Sequence, residues 1–432
     1  MRSVCVNSLE LLLYPSIITD ADVLSSKGVE ERVCRLVDEL KMLSNKRVAF
    51  LATRELKTIL LLIALLKVKA TACPLDIRLP PLEIQRAVQE LDAYLISSPL
   101  PCHAPSSDDI ATLLFTSGTT SAKKIVAHSL SNHAYSALGM IQALELKTSD
   151  RWLLSLPLSH VSGLAIVFRA LFSGAALVLS TLPIEEAILR HKVSLLSLVP
   201  TQLYRLMQTE RGQKALQSLR ALIIGGAPIP PSLLERCKEL NIPCLTSYGM
   251  TEMSSTVLLN GSILPHRALT LAKDGEILVR GPVLFQGYWK KGKALELPSL
   301  QFENTSWFAT RDLGTWISKT TVQCTGRKDL LFISGGENIQ PEEIESALMA
   351  LPEVEQALVV PIPDEELGQI AVAFVQTASG QLSIDFLKGG LKESLPSFKV
   401  PKLFFPFPRS DERLKIDRRE FIRHAQALVK NR

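Results

Sequence analysis

Between Val48 and Ser247 the chain alternates short apolar runs with stretches whose apolar positions recur at helical spacing. Val48 to Thr53 reads as a strand and leads into a helix through Lys57 to Lys67. Ala176 to Ser180 and Leu195 to Val199 are further strands, the second running into the helix-like Thr201 to Gln208. Leu222 to Ile224 ends in Gly225-Gly226, and Pro230 to Leu240 reads as a helix with proline at its start. Asn241-Ile242-Pro243 breaks that helix before the next strand, Cys244 to Ser247. Strand and helix in alternation predict a largely parallel sheet covered by helices.

The pattern changes after about residue 270, where Gly275 to Pro282 and Thr320 to Arg327 read as antiparallel strands bounded by turn residues. Beyond Asp329 the spacing predicts helices over Pro341 to Pro352 and Ile384 to Leu395, and strands over Glu355 to Ile362 and Ala371 to Ala378. The expected fold class is α/β: a large N-terminal domain of layered sheets with helices, residues 1–328, plus a small mobile α+β C-terminal domain, residues 329–432. The polar stretch Thr325 to Asp329 is the candidate hinge.

Composition narrows the function. Of 432 residues, 47% are apolar and 21% charged, which is globular usage and not disorder. The net charge is +5, but no run of five Lys/Arg occurs, which argues against nucleic acid as partner. The longest apolar run, Ile59 to Leu66, falls far short of the roughly 20 residues that span a bilayer, so it reads as a buried helix and no transmembrane segment is expected. Leu11 to Tyr14 follows Glu10 and is too short for a signal peptide. Seven scattered cysteines without a C-x-x-C pair read as the reduced thiols of a cytoplasmic protein. Oligomeric state, a homo-oligomer included, is left open.

The segment richest in chemistry is Leu113 to Lys124, an apolar strand entering a loop crowded with hydroxyls, one glycine and two lysines. Such a loop can cradle phosphate through hydroxyl and backbone donors, or simply cap a helix. It is not a Walker A loop. Its Thr116-Ser117-Gly118-Thr119-Thr120 with Lys124 resembles the T-S-G-T-T-x-x-x-K loop of the adenylate-forming superfamily of acyl-CoA synthetases, luciferases and adenylation domains. Tyr248-Gly249-Met250-Thr251-Glu252 resembles its Y-G-x-T-E, Thr310 to Gly314 its T-x-D-x-G, and Gly326 to Asp329 its G-R-x-D hinge. Lys415 stands where the C-terminal catalytic lysine is expected. The motifs follow in family order over about 300 residues. Trp152 to Gly163, Ser197 to Leu206, Ile224 to Pro230 and Ser334 to Glu345 further resemble the o-succinylbenzoate–CoA ligases of menaquinone or phylloquinone synthesis.

The resemblance implies an enzyme that consumes ATP to make an acyl-adenylate from a small carboxylate and then transfers the acyl group to coenzyme A. Thr116, Ser117, Gly118, Thr119, Thr120 and Lys124 would hold the β- and γ-phosphates, and Thr251 the α-phosphate. Glu252 would ligate Mg²⁺, and Tyr248 would lie against the adenine. Asp312 would accept both ribose hydroxyls, with Arg327 also on the nucleotide. Lys415 would bridge the substrate carboxylate and the α-phosphate. His160 would stand by the acyl pocket, and otherwise reads as a hydrogen-bonded interior histidine. Arg169 interrupts the apolar run Leu164 to Phe172; it either snorkels outward or meets a buried anion, here the acid's second carboxylate. Gly225, Gly226 and Ala227, with Gly249, would form a close-approach wall for the acyl group. Ser334, Gly335 and Gly336 would shape the coenzyme A tunnel, and Asp329 would absorb the hinge rotation. Read without the family, Asp312 is a turn residue, Glu252 a helix-cap acid, Lys415 solvated surface and Asp329 a linker residue.

The loop departs from the family at Ser121, Lys123 and Ile125, where Gly, Pro and Gly are usual; a positive φ would cost Ser121 on the order of 1 kcal/mol. Rival readings are a synthetase for another small carboxylate, an adenylating domain serving a separate carrier protein, and a homologue that binds ATP and acyl group without catalysis.

Overall fold

The structure, a computed structural model, describes residues 12–96, 110–116, 124–408 and 418–430. The chain forms two compact units: Met1–Gly226 with Asn241–Leu269 and Val279–Phe308, and Ala227–Leu240 with Thr270–Leu278 and Ala309–Arg432.

The first unit holds two large sheets. In one, strands Arg151–Leu153, Leu195–Leu198, Ala221–Gly225 and Cys244–Met250 run parallel, and Ser255–Leu259 closes antiparallel on Cys244–Met250. In the other, Tyr94–Leu95, Arg47–Leu51, Thr71–Leu75 and Ile110–Phe115 are parallel, followed by antiparallel Ile125–Ser129 and Gly287–Trp289. Helices cover these sheets because their apolar residues have nowhere else to go. Leu56–Lys67 buries Ile59, Leu62, Ile63 and Leu65 completely, at about 1.5–3 kcal/mol each. Leu130–Leu144 and Val161–Ser173 add Met140, Leu164, Ile166 and Phe168 to the same core. The expected alternation of strand and helix is present, with each strand within a few residues of its predicted bounds.

The second unit contains the antiparallel sheet partners Val354–Asp364 and Gly368–Thr377, with Leu403–Pro406 added in parallel. Pro341–Met349 and Ile384–Ser394 pack Ile344, Leu348, Leu387 and Leu391 onto this sheet. Asp312 lies on a strand, since Asp312 to Trp316 pairs with Val322–Arg327. Its turn reading is therefore corrected, although Arg311 beside it adopts φ +64°. Among the described residues no helix is long and apolar enough to cross a membrane, and Cys34, Cys73, Cys237, Cys244 and Cys324 form no disulfide.

Candidate active site

Gly225 and Tyr248 lie at the carboxyl ends of neighbouring parallel strands, the edge where open α/β sheets bind ligands. Strand Cys244–Met250 then turns through a single 3₁₀ turn, Thr251–Met253, before the chain reverses. The reversal is tight. A side chain at Gly249 would place its Cβ 2.0 Å from the Ser255 carbonyl oxygen, and one at Gly225 would sit 2.3 Å from that of Ser247. Both glycines thus let backbone approach backbone.

The turn is fixed by its carbonyls. Thr251 O accepts from His128 Nε2 at 2.8 Å, and Glu252 O accepts from Phe285 N at 2.8 Å. Glu252 Oε1 in turn accepts from the Tyr288 hydroxyl at 2.9 Å, leaving Oε2 without a partner among the described residues. Tyr288 comes from strand Gly287–Trp289, which pairs with Ile125–Ser129. Its ring lies under a cation: Lys124 Nζ is 4.4 Å from the ring centroid. Lys124 itself flanks the neck of a hairpin, where Thr116 N donates to Lys124 O at 2.8 Å. The hydroxyl-rich residues 117–123 lie outside the described residues, so Ser117, Gly118, Thr119, Thr120, Ser121 and Lys123 receive no structural account. Lys124, Tyr288, Glu252 and Thr251 thus form one continuous cluster: a lysine, an aromatic spacer, a carboxylate and a hydroxyl residue at a strand end.

This cluster can hold a polyphosphate with its metal. Among the described residues no group of three His, Cys, Asp or Glu could cage an ion. That donor set suits Mg²⁺, which takes one or two carboxylates and completes its shell with phosphate oxygens and water. Glu252 supplies the carboxylate and Lys124 the separate positive charge.

Two histidines underlie the cluster and were not singled out from the sequence. His128 and His133 are fully buried, 4.8 Å apart between ring centroids, with His133 stacked on Phe168. His128 Nε2 faces a carbonyl oxygen, so it carries the proton, and Nδ1 is buried without a partner. Burial pushes His128 down to about 4, and burial next to His128 pushes His133 well below its ordinary value. A depressed histidine contributes stability that is present above about pH 6.5 and is lost as the pH falls through the interval down to about 4. By pH 5, His128 alone removes about 2 kcal/mol. Melting curves between pH 7 and 5 are expected to fall in that interval and to fall less in His128→Gln. An unchanged melting temperature over this range contradicts the buried neutral pair.

His160 is the residue immediately before helix Val161–Ser173 and is partly exposed. Arg169, on that helix, is only 3% exposed, which settles its two readings in favour of burial. Its Nη2 donates to Thr256 Oγ1 at 3.2 Å, its guanidinium lies 5.1 Å from the Trp152 ring centroid, and its Nε has no partner among the described residues. Burial pushes the guanidinium down to about 10. Gly226 has φ +81° and ends the first segment of its unit, whereas Ala227 begins the second unit.

The second unit gathers Asp312, Arg327 and Asp329. Arg327 Nη1 donates to Asp312 Oδ1 at 2.8 Å, while its Nε and Nη2 grip Asp329 at 2.8 and 3.2 Å. Lys328 Nζ donates to Asp274 and Glu276 at 2.6 and 2.9 Å, so residues 327–329 are held from both sides within this unit. Gly335 and Gly336, at φ +57° and +86°, form the two-residue turn between Phe332–Ser334 and Glu337–Ile339. Only glycine adopts two such values in succession without cost, which accounts for the pair. Lys415 lies outside the described residues.

The AMP-binding enzyme family matches residues 96–289, and the AMP-binding enzyme C-terminal domain matches residues 343–411. The 2-succinylbenzoate–CoA ligase of Salmonella typhimurium is 32% identical over 438 residues, covering 94% of this chain and 93% of that one. The o-succinylbenzoate CoA synthetase MenE from Bacillus subtilis, solved with the acyl-adenylate intermediate OSB-AMP, is 26% identical with a TM-score of 0.80 over 95% of each chain. Its complex with ATP and magnesium ion gives 0.80 at 26% identity, covering 94% of this chain and 96% of that one.

Proposed function

The chain belongs to the AMP-binding enzymes, among the relatives of 2-succinylbenzoate–CoA ligase, and we propose that it is an ATP-dependent, AMP-forming acid–thiol ligase. It joins 2-succinylbenzoate to coenzyme A through an acyl-adenylate, a step of menaquinone or phylloquinone synthesis. The observation that carries the reading is the cluster Lys124, Tyr288, Glu252 and Thr251 at a sheet's carboxyl edge.

The chemistry follows from charge. An unactivated carboxylate has no leaving group, so the acid oxygen first displaces pyrophosphate at the α-phosphorus, and the thiol then displaces AMP. Negative charge builds on the α-phosphate, so the protein's work is in-line positioning and neutralisation. Lys124, with Thr116 and the adjoining loop, holds the β- and γ-phosphates; Thr251 holds the α-phosphate. Glu252 is the Mg²⁺ ligand, and the metal when bound supplies further neutralisation of phosphate charge. Tyr288 keeps the Glu252 carboxylate in place through its hydroxyl. Asp312 accepts from the ribose hydroxyls with Arg327 beside it, Tyr248 lies along the adenine, and Lys415 bridges carboxylate and α-phosphate. His160, Gly225, Gly226, Ala227 and Gly249 bound the acyl group. Ser334, Gly335 and Gly336 line the coenzyme A path, and residues 329–432 act as the lid that turns at Asp329. The same proposal puts the enzyme in the cytoplasm, in keeping with its free cysteines.

Arg169 meets the carboxylate that is not activated, because a buried guanidinium without an acidic partner among the described residues is costly until an anion reaches it. Arg169→Ala is expected to lower kcat/KM for 2-succinylbenzoate roughly 10- to 50-fold, the worth of a charge-assisted hydrogen bond. An unchanged kcat/KM removes the assignment. Pyrophosphate release over a panel of carboxylates tests the substrate: 2-succinylbenzoate is expected to lead, and faster turnover of another small acid would reassign it.

A further inference from the structure

The first unit buries a second arginine besides Arg169. Arg267 is 9% exposed, follows the loop after the two strands Ser255–Leu259 and Ser262–Ile263, and has no acidic partner among the described residues. Its Nη1 donates to Pro265 O at 2.8 Å and its Nη2 to Ser136 Oγ at 3.4 Å, while its Nε is buried without a partner. Helix Leu130–Leu144 is shaped to receive it. Ser136 Oγ accepts from the guanidinium and donates to Ser254 O at 2.6 Å. One turn later, a Cβ on Gly139 would stand 2.5 Å from Arg267 Nη1, so glycine leaves room for the head group.

The two arginines connect to opposite ends of one three-residue segment, Arg169 directly at Thr256 and Arg267 at Ser254 through Ser136. That segment, Ser254 to Thr256, directly follows the Thr251–Glu252 turn of the active site, and its first two residues hold φ +52° and +104°. Burial and the neighbouring Arg169 push Arg267 down to about 9. Each of these desolvated cations has an Nε–H without a partner among the described residues, and an anion reaching both would offset the cost of burying them.

We propose that Arg267 is a specificity-determining residue of the acyl site: with Arg169 it forms a paired-arginine cradle for the free carboxylate of a dicarboxylic acid substrate. This rests on the acid–thiol ligase reading given above. A carboxylate has two oxygens with about four acceptor sites, so it can take donors from two guanidinium groups at once. The pair selects for doubly charged acids, because a monoacid leaves both cations unanswered.

The test compares 2-succinylbenzoate with the same acid lacking its ring carboxyl group, in the wild type, Arg267→Gln and Arg267→Lys. Arg267→Gln is expected to raise KM for the dicarboxylate about 10-fold with kcat changed less than about 2-fold, and to leave kcat/KM for the monoacid within about 2-fold. Arg267→Lys is expected to recover part of the loss, since it keeps the charge but not the fork. Equal losses for both acids mean a packing role and overturn the proposal. A second readout needs no turnover: Arg267→Met, with one buried cation removed, is expected to melt at or above the wild-type temperature without ligand and to gain less from added 2-succinylbenzoate. A lower melting temperature with an undiminished ligand shift overturns the proposal as well. If the wild type forms no adenylate from either acid, the ligase reading fails, and calorimetric binding of the two acids still decides the cradle. Preference for the diacid that Arg267→Gln abolishes supports it; no such preference in the wild type ends it.

Discussion

Glu252→Gln is expected to cut AMP formation by roughly 100- to 1,000-fold, the range seen when one preorganised electrostatic contact to a transition state is lost. The substitution is nearly isosteric. The amide oxygen still accepts from the Tyr288 hydroxyl, the backbone carbonyl still accepts from Phe285 N, and the 3₁₀ turn keeps its shape. What disappears is the negative charge that a hard cation requires. The melting temperature should therefore stay within a few degrees while turnover collapses. Tyr288→Phe supplies the contrast: it removes the hydroxyl at 2.9 Å from Oε1 but keeps the charge and the ring under Lys124. Its expected loss is about 3- to 10-fold, appropriate to one positioning hydrogen bond. If Glu252→Gln keeps more than a tenth of the wild-type rate, the carboxylate is a structural acid and the metal belongs elsewhere.

The second large effect concerns the two half-reactions. Asp329→Pro is expected to leave pyrophosphate release without coenzyme A within about 5-fold of wild type and to lower thioester formation at least about 100-fold. Proline fixes φ near −65° and removes the backbone donor, so residue 329 can no longer change conformation between two arrangements. It also removes the carboxylate that Arg327 grips at 2.8 and 3.2 Å. Freed of that partner, Arg327 keeps its bond to Asp312 at 2.8 Å, so the acid proposed to hold the ribose retains its neighbour and adenylation is expected to survive. Equal loss of both half-reactions would mean that Asp329 supports a single rigid site.

Much of the fold was legible because strands and helices here announce themselves by apolar spacing. The helix Leu56–Lys67 and the strands Leu195–Leu198, Ala221–Gly225 and Cys244–Met250 follow the pattern closely. Strand Thr305–Trp316 was missed because Arg311, Asp312 and Gly314 interrupt its apolar positions, and Arg311 at φ +64° breaks the alternation from within. The proposed site residues that sit in short motifs, Thr251, Glu252, Asp312 and Arg327, are legible in the sequence. Those that act from a distance in the chain are not. Tyr288 reaches Glu252 across 36 positions and His128 reaches Thr251 across 123, and no local spacing carries such pairings. Arg267 was equally silent, since a single arginine after Pro265-His266 looks like surface until its burial is known. The clue that existed was Gly287-Tyr288-Trp289, a glycine before two aromatics, where Gly287 holds φ +142° and a Cβ would stand 2.9 Å from Glu296 O.

The central claim is that the acid's own oxygen becomes bonded to the α-phosphorus of ATP. Turnover of 2-succinylbenzoate labelled with oxygen-18 in both carboxyl groups, in the presence of ATP, Mg²⁺ and coenzyme A, reads this directly by mass spectrometry of the released nucleotide. The account predicts AMP carrying one oxygen-18 atom for each thioester formed. Unlabelled AMP alongside the thioester, or ADP as the nucleotide product, would contradict it.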